Sequence, residues 1–200
     1  MKKIVIVGGG ASGMMAAIAA AKENPAAKIR ILERKDLPGK KILSTGNGRC
    51  NFTNQVMHMN CFFSDTPNGI EEVLQQFGTK ETRGCISDLG ILPKDRNGYY
   101  YPRSDQASSI VSVLRTRLQQ AGVEVETNVY VTGLKENKKR ISYFRGREKY
   151  EADAVILACG GKAAPALGSD GSGYDLAKSM GHHMVPVVPA LVQLKVDRFA

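Results

Sequence analysis

Two stretches hold residues whose types and spacing could do chemistry. The first is Gly8-Gly9-Gly10-Ala11-Ser12-Gly13, a G-x-G-x-x-G pattern, followed 20 residues after Gly13 by Glu33. In this spacing Gly8 permits a tight turn, Gly10 lets backbone approach a pyrophosphate, and Gly13 lets a helix pack close on a strand. A carboxylate at Glu33 suits ribose hydroxyls and repels a 2′-phosphate, which favours NAD or FAD over NADP. The second stretch, "GKKILSTGNGRCNFTN" at 39–54, offers glycines for close backbone approach at Gly46 and Gly48. It adds cations at Lys40, Lys41 and Arg49 to balance phosphate charge, and amides at Asn47 and Asn51.

The elements that must position these residues are legible around them. "KKIVIV" reads as a buried strand over Ile4–Val7, Ala11–Lys22 as a helix stopped before Pro25, and "KIRILE" (28–33) as a second strand. Together they make a βαβ unit, the start of a parallel sheet. A long irregular run reaches to about residue 65, and 68–78 has a helical pattern. An Asn97-Gly98 turn predicts a strand pair ending in Tyr99–Tyr101. Ser104 is the expected N-cap of a helix from Gln106 to about Ala121, carrying Ile110, Val113, Leu114 and Leu118 on one face. "VEVETNVYVTGL", "RISYFRG" and "KYEADAVILAC" follow as strands, the outer ones antiparallel and the last fully buried, ending at the glycine pair Gly160-Gly161. A helix over Tyr174–Met180 comes next, and the closing "VQLKVDRFA" reads as a strand. That second glycine pair lies at the same sheet edge as the first fingerprint, so one long cofactor accounts for both.

The bulk numbers narrow the class. Charged residues at 24% and hydrophobic residues at 42% are those of a globular domain. The apolar run after Lys2-Lys3 is too short for a signal peptide, and no apolar run reaches membrane-spanning length, so no membrane association is expected. Cys50, Cys61, Cys85 and Cys159 have no C-x-x-C spacing, which points to a reduced, cytoplasmic protein. The net charge of 28 − 19 = +9 is scattered apart from 136–149, a charged hairpin, so no nucleic-acid partner is expected. Arg49 beside Cys50 would favour a thiolate, but a packing role suits a lone cysteine better, and Cys159 likewise packs. His182-His183 lacks partners at ligand spacing, so no metal is expected. The Tyr99–Tyr101 run suits an edge strand, and "GSDGSGYDLA" (168–177) suits either an anion loop or a capped turn.

The fingerprint, Glu33, the 39–54 stretch, "GYYYPRSDQASSIVSVL" and "ILACGGKAAPALGSDGSGYDLAKSMGHHMVPVVPALVQL" together resemble the bacterial HI-type flavoproteins. These are also called BaiN-type or aminoacetone-oxidase-like FAD-binding enzymes. The resemblance implies a Rossmann-like α/β FAD-binding domain, a parallel sheet with an antiparallel β-meander, over residues 1–190, lacking its C-terminal completion. Residues 191–200 would begin an inserted domain. It implies pyrophosphate contacts from Gly8, Gly10, Ala11, Ser12 and Gly13, and ribose contacts from Glu33 with Arg34 beside it. Lys41, Thr45, Gly46, Gly48, Arg49, Cys50 and Asn51 would lie along the pyrophosphate and flavin. Val131, placed in a strand, would meet the adenine, and Ala158 and Gly160 would supply backbone, with Cys159 where the family usually has Thr.

The activity implied is that of an FAD-dependent oxidoreductase on a small molecule, an amine or activated alkene, with NAD(P)H as a candidate external electron donor. A non-catalytic FAD- or adenine-nucleotide-binding fragment and an NAD-binding dehydrogenase half are the alternatives. No residue identifies a catalytic base, the substrate or an oligomeric state.

Overall fold

The computed structural model describes residues 1–64 and 68–189. The expectations for 191–200, including the closing strand, lie outside the described residues.

β1 (Lys3–Val7), α1 (Ala11–Glu23) and β2 (Lys28–Leu32) form the expected βαβ unit, with β1 and β2 parallel and Ile6 opposite Ile31. α1 runs on alanine and methionine, good helix formers, and stops where the Asn24 amide donates to the Ala20 carbonyl ahead of Pro25. The run after β2 is less irregular than its composition suggests. It contains α2 (Lys40–Ser44) and β3 (Thr53–Asn54). Beyond it, the helix expected over 68–78 is α3 (Asn68–Gln76), followed at once by α4 (Thr79–Asp88), for which the sequence carried no expectation. β4 (Pro93–Arg96) and β5 (Tyr99–Pro102) form the hairpin predicted from Asn97-Gly98, and β3 adds to its other edge.

α5 (Ala107–Gln120) is the expected amphipathic helix, but Ser104 is not its N-cap. Gln106 holds that position without a side-chain bond, and the Ser104 hydroxyl accepts the Gln106 amide at 3.3 Å. The next stretches were expected as three strands and are five. β6 (Glu124–Glu126) pairs parallel with β2 rather than antiparallel. Asn128, at φ +58°, then breaks the chain, a conformation asparagine tolerates. Val131 therefore lies in a connector and not in a strand.

β7 (Gly133–Asn137), β8 (Arg140–Arg145) and β9 (Glu148–Ala152) make the antiparallel meander. β10 (Ala154–Leu157) returns to the parallel sheet beside β1. "KYEADAVILAC" thus changes sheets at Asp153, whose amide donates to the Lys3 carbonyl at 2.8 Å and whose carboxylate accepts the Lys3 amide at 2.7 Å. β10 is not fully buried. It occupies an edge of the order β10-β1-β2-β6, and Ile156 is 36% exposed. α6 (Ser172–Ser179) follows.

Alternation along β1 sends its side chains into two cores. Ile6 joins Met14, Ile31, Ile110, Leu114 and Leu118 beneath α1 and α5. Val5 and Val7 join Leu32, Leu134, Tyr143 and Leu176 under the meander and α6. Ile6 and Ile31 have no exposed surface, and truncating either to alanine should cost about 2–5 kcal/mol. A rigid sheet packed on both faces holds the C-terminal ends of β1, β2 and β10 side by side.

Candidate dinucleotide-binding site

At those strand ends the three glycines of the fingerprint meet different surroundings. Gly8 has φ +109°, and a Cβ there would lie 2.4 Å from the Ala158 carbonyl oxygen. A Cβ on Gly13 would lie 1.9 Å from the Gly8 carbonyl oxygen. Both glycines are needed by the protein's own packing. Gly10 is different: a Cβ there would meet nothing within 4 Å. It faces open space at the start of α1, a helix with no side-chain cap and no acidic residue in its first turn. Its positive end is therefore available to an anion.

Glu33 closes the turn. One carboxylate oxygen accepts the Gly9 amide at 2.6 Å and the other accepts the Lys35 amide at 2.7 Å. Two backbone donors fix the carboxylate plane and leave lone pairs free for hydroxyl donors. The Gly39 amide donates to the Gly9 carbonyl at 2.8 Å, which seats the start of α2 on the same turn.

Gly8, Gly10, Ala11, Ser12, Glu33, Lys41, Ala158 and Gly160 all line one cavity of about 260 Å³. Glu33, Arg34 and Val131 share an adjoining hollow of about 50 Å³ with Tyr130 and Leu176. Gly8, Glu33, Cys159 and Gly168 border both, so the two form one groove. Gly13 stands behind the groove as a packing residue. A larger surface channel of about 820 Å³, bordered by Asp36, Ser112, Arg115 and Gln119, contains none of the fingerprint residues.

Thr45, Gly46, Gly48, Arg49, Cys50 and Asn51 do not border the groove. They form a turn beyond the far end of α2, with left-handed backbone at Gly46, Asn47, Gly48 and Cys50. The Asn51 side-chain amide donates to the carbonyls of Thr53 and Tyr100, tying the turn to the small sheet. The Thr45 hydroxyl donates to the Ile42 carbonyl at 2.7 Å. The Arg49 guanidinium lies 5.7 Å from the centre of the Tyr101 ring, so that tyrosine already has a partner. Cys50 is buried in the first core, and burial pushes its thiol up, against a smaller opposing hydrogen bond with Thr45. Cys159 is raised by burial first and also by the carboxylates of Glu33 and Asp170. Neither thiol has the depressed pKa of a nucleophile.

The groove also has residues that sequence reasoning left undecided. Gly168, Ser169 and Ser172 border it from the 168–177 stretch. Asp170 accepts the Ser172 amide at 3.1 Å and also takes a 2.6 Å bond from Arg34, while Gly171 holds the N-cap position of α6 without a side-chain bond. That guanidinium holds the Asp170 carboxyl far below the usual carboxylate range. The signal was the glycine spacing at Gly168 and Gly171, both with positive φ. His182 and His183 are exposed, and among the described residues no three His, Cys, Asp or Glu side chains gather to hold a metal.

The family described as "HI0933-like protein Rossmann domain" matches residues 2–195. The chain belongs to the HI0933-like family. Among curated relatives, a 3-dehydro-bile acid delta(4,6)-reductase of Clostridium scindens is 52% identical over 99% of this chain and 48% of its own length. A ribosomal RNA dihydrouridine synthase of Escherichia coli is 24% identical over 97% of this chain and 48% of its own. The chain thus spans about half the length of the curated relatives it matches. Among solved structures, Thermovibrio ammonificans THI4 superposes with a TM-score of 0.54 at 18% identity, covering 91% of this chain and 64% of its own. That likeness is one of fold. Family and fold agree with the Rossmann-like α/β architecture, parallel sheet plus antiparallel meander, described above. No helix among the described residues is long and apolar enough to cross a membrane.

Proposed function

We propose that this chain is the cofactor-holding part of an FAD-dependent oxidoreductase of the HI0933-like family that reduces a double bond in a small molecule. The observation that carries the reading is the continuous groove that joins the open space over Gly10 to the amide-held Glu33 carboxylate and to the Arg34–Val131 hollow. A dinucleotide needs that sequence of environments: donors and cations for a diphosphate, a fixed carboxylate for a ribose, and a part-apolar slot for adenine.

In this reading Gly8, Gly10, Ala11 and Ser12 admit the diphosphate and Lys41 neutralises it. Glu33 accepts from the ribose hydroxyls, while Val131 and Tyr130 border the base. Gly46 to Asn51 shape the ground beyond α2 toward which the flavin extends. FAD, when bound, supplies a ring system that takes up and releases hydride. The chain's own residues bind and orient it. NAD(P)H is the proposed external donor. An activated alkene is preferred over an amine as substrate because one curated relative is named a delta(4,6)-reductase and another a dihydrouridine synthase.

The chain spans about half of those relatives, which supports a second reading: a unit that holds the nucleotide without turnover by itself. The near-ultraviolet and visible absorption spectrum of the purified chain, before and after added FAD, tests the main reading. One flavin per chain is expected. A colourless chain that refuses FAD but binds NADH would overturn it in favour of a nicotinamide site. For the bound state, Glu33→Ala should weaken FAD by about 1.5–3 kcal/mol, the range for charge-assisted hydrogen bonds.

A further inference from the structure

The segment between β10 and α6 supplies part of the groove, and its inner loop carries backbone pairing of its own. Ala164 and Ser169 exchange both backbone hydrogen bonds, at 3.2 and 3.0 Å, and the Gly171 amide donates to the Gly161 carbonyl at 3.0 Å. Three cations from the 34–41 stretch reach this loop. Arg34 donates to the Asp170 carboxylate at 2.6 Å, Lys35 to the Ala166 carbonyl at 3.1 Å, and Lys41 to the Ser169 hydroxyl at 2.8 Å.

The three differ in kind. Arg34 has a carboxylate to neutralise it. Among the described residues, Lys35 and Lys41 hydrogen-bond only neutral oxygens, which leaves each ammonium two further donor positions. Ser169 is 4% exposed and accepts from Lys41, yet among the described residues nothing accepts its own hydroxyl proton. Gly160 completes the corner. A Cβ there would lie 2.8 Å from the Ser169 hydroxyl and 3.4 Å from the Lys41 ammonium. A buried hydroxyl with a spare proton, an ammonium with further donor positions and a glycine with φ +78° thus converge on one point of the groove wall.

We propose that Ser169 is a phosphate-contacting residue, paired with Lys41, and that a bound diphosphate fastens the 163–171 loop to α2. This rests on the dinucleotide reading above. The diphosphate oxygens take the spare Ser169 proton and the free Lys41 donors, extending the 2.8 Å ammonium–hydroxyl bond into a three-body bridge. No covalent step is involved.

The test is FAD titration of wild type, Ser169→Ala and Lys41→Gln, followed by flavin fluorescence, with hydrogen exchange over 163–171 read with and without FAD. Each variant should bind FAD about tenfold more weakly, the loss of one charge-assisted bond. FAD should slow exchange over the loop in wild type and do so much less in Ser169→Ala. The backbone pairing of Ala164 with Ser169 should keep that variant folded, and Lys41→Gln changes an exposed side chain. Affinities within twofold of wild type, or loop exchange indifferent to FAD, would overturn the Ser169 assignment while leaving the dinucleotide site standing. A wild-type chain that binds neither FAD nor ADP would remove both.

Discussion

A Cβ placed on Gly13 would sit 1.9 Å from the carbonyl oxygen of Gly8, well inside any tolerated contact. The strand-to-helix turn is closed this tightly because Gly8 and Gly13 both lack side chains. Gly13→Ala must therefore push α1 off β1 or break the turn. A loss of at least about 2 kcal/mol is expected in urea denaturation, as for overpacked cores. An unchanged midpoint would mean the turn has slack that the geometry denies.

Gly10 lies between them and should behave in the opposite way. Its φ of −76° suits any residue and its Cβ position is empty. Gly10→Val should keep stability within about 0.5 kcal/mol of wild type. It should nonetheless abolish FAD uptake, because the valine occupies the space assigned to the diphosphate. Retention of flavin at wild-type level would remove Gly10 from the site.

The Arg34–Asp170 pair gives the loop an acid limit. Asp170 is depressed chiefly by the hydrogen bond from Arg34, so its folded pKa lies below its unfolded value of about 3.9. A depressed carboxylate stabilises above the unfolded pKa, and that contribution drains away as pH falls below it toward the folded pKa. Stability should thus be level from neutrality to about pH 5 and then decline. Asp170→Asn should be less stable at neutral pH and show a shallower acid decline in melting temperature. Parallel pH profiles would dissociate the pair from stability; its half-exposed position keeps the expected effect small.

Thiol reactivity separates packing from chemistry. Cys61 is exposed, while Cys50 is buried with its pKa raised by that burial. Iodoacetamide at neutral pH should label Cys61 well before Cys50 in a mass-spectrometric time course. Rapid labelling of Cys50 would reopen it as a nucleophile.

What could be read from the residues depended on how far apart partners lie along the chain. β1, α1 and β2 were legible because glycines, an alanine-rich run and β-branched runs state their roles locally. The break at Asp153 was not, since "EADAVIL" keeps a strand-like composition and only the Lys3 backbone, 150 residues away, makes Asp153 a junction. Val131 borders the same hollow as Arg34 but lies outside its predicted strand, because Asn128 adopts a left-handed conformation that hydrophobic patterning does not register. Ser169 and Asp170 looked like ordinary turn residues. Their partners, Lys41 and Arg34, stand 128 and 136 positions earlier. The 39–54 stretch drew attention by its glycines, yet the only part of it that reaches the groove is its start, Gly39 to Lys41.

The pairing of β10 with β1 sets an order of assembly. The Gly8 amide bonds the Leu32 carbonyl and the Gly39 amide bonds the Gly9 carbonyl, so one half of the groove forms from a short local segment. The other half arrives only when Ala154 docks opposite Ile4, closing a loop whose entropic cost must be met before its contacts form. The glycine-rich turn should therefore gain amide protection early in pulse-labelled refolding, with β10 and the 163–171 loop late. Simultaneous protection of both would argue for a single nucleus. During synthesis, the nascent chain would carry a half-built nucleotide cradle for more than a hundred residues of elongation before the opposite wall could close on a ligand.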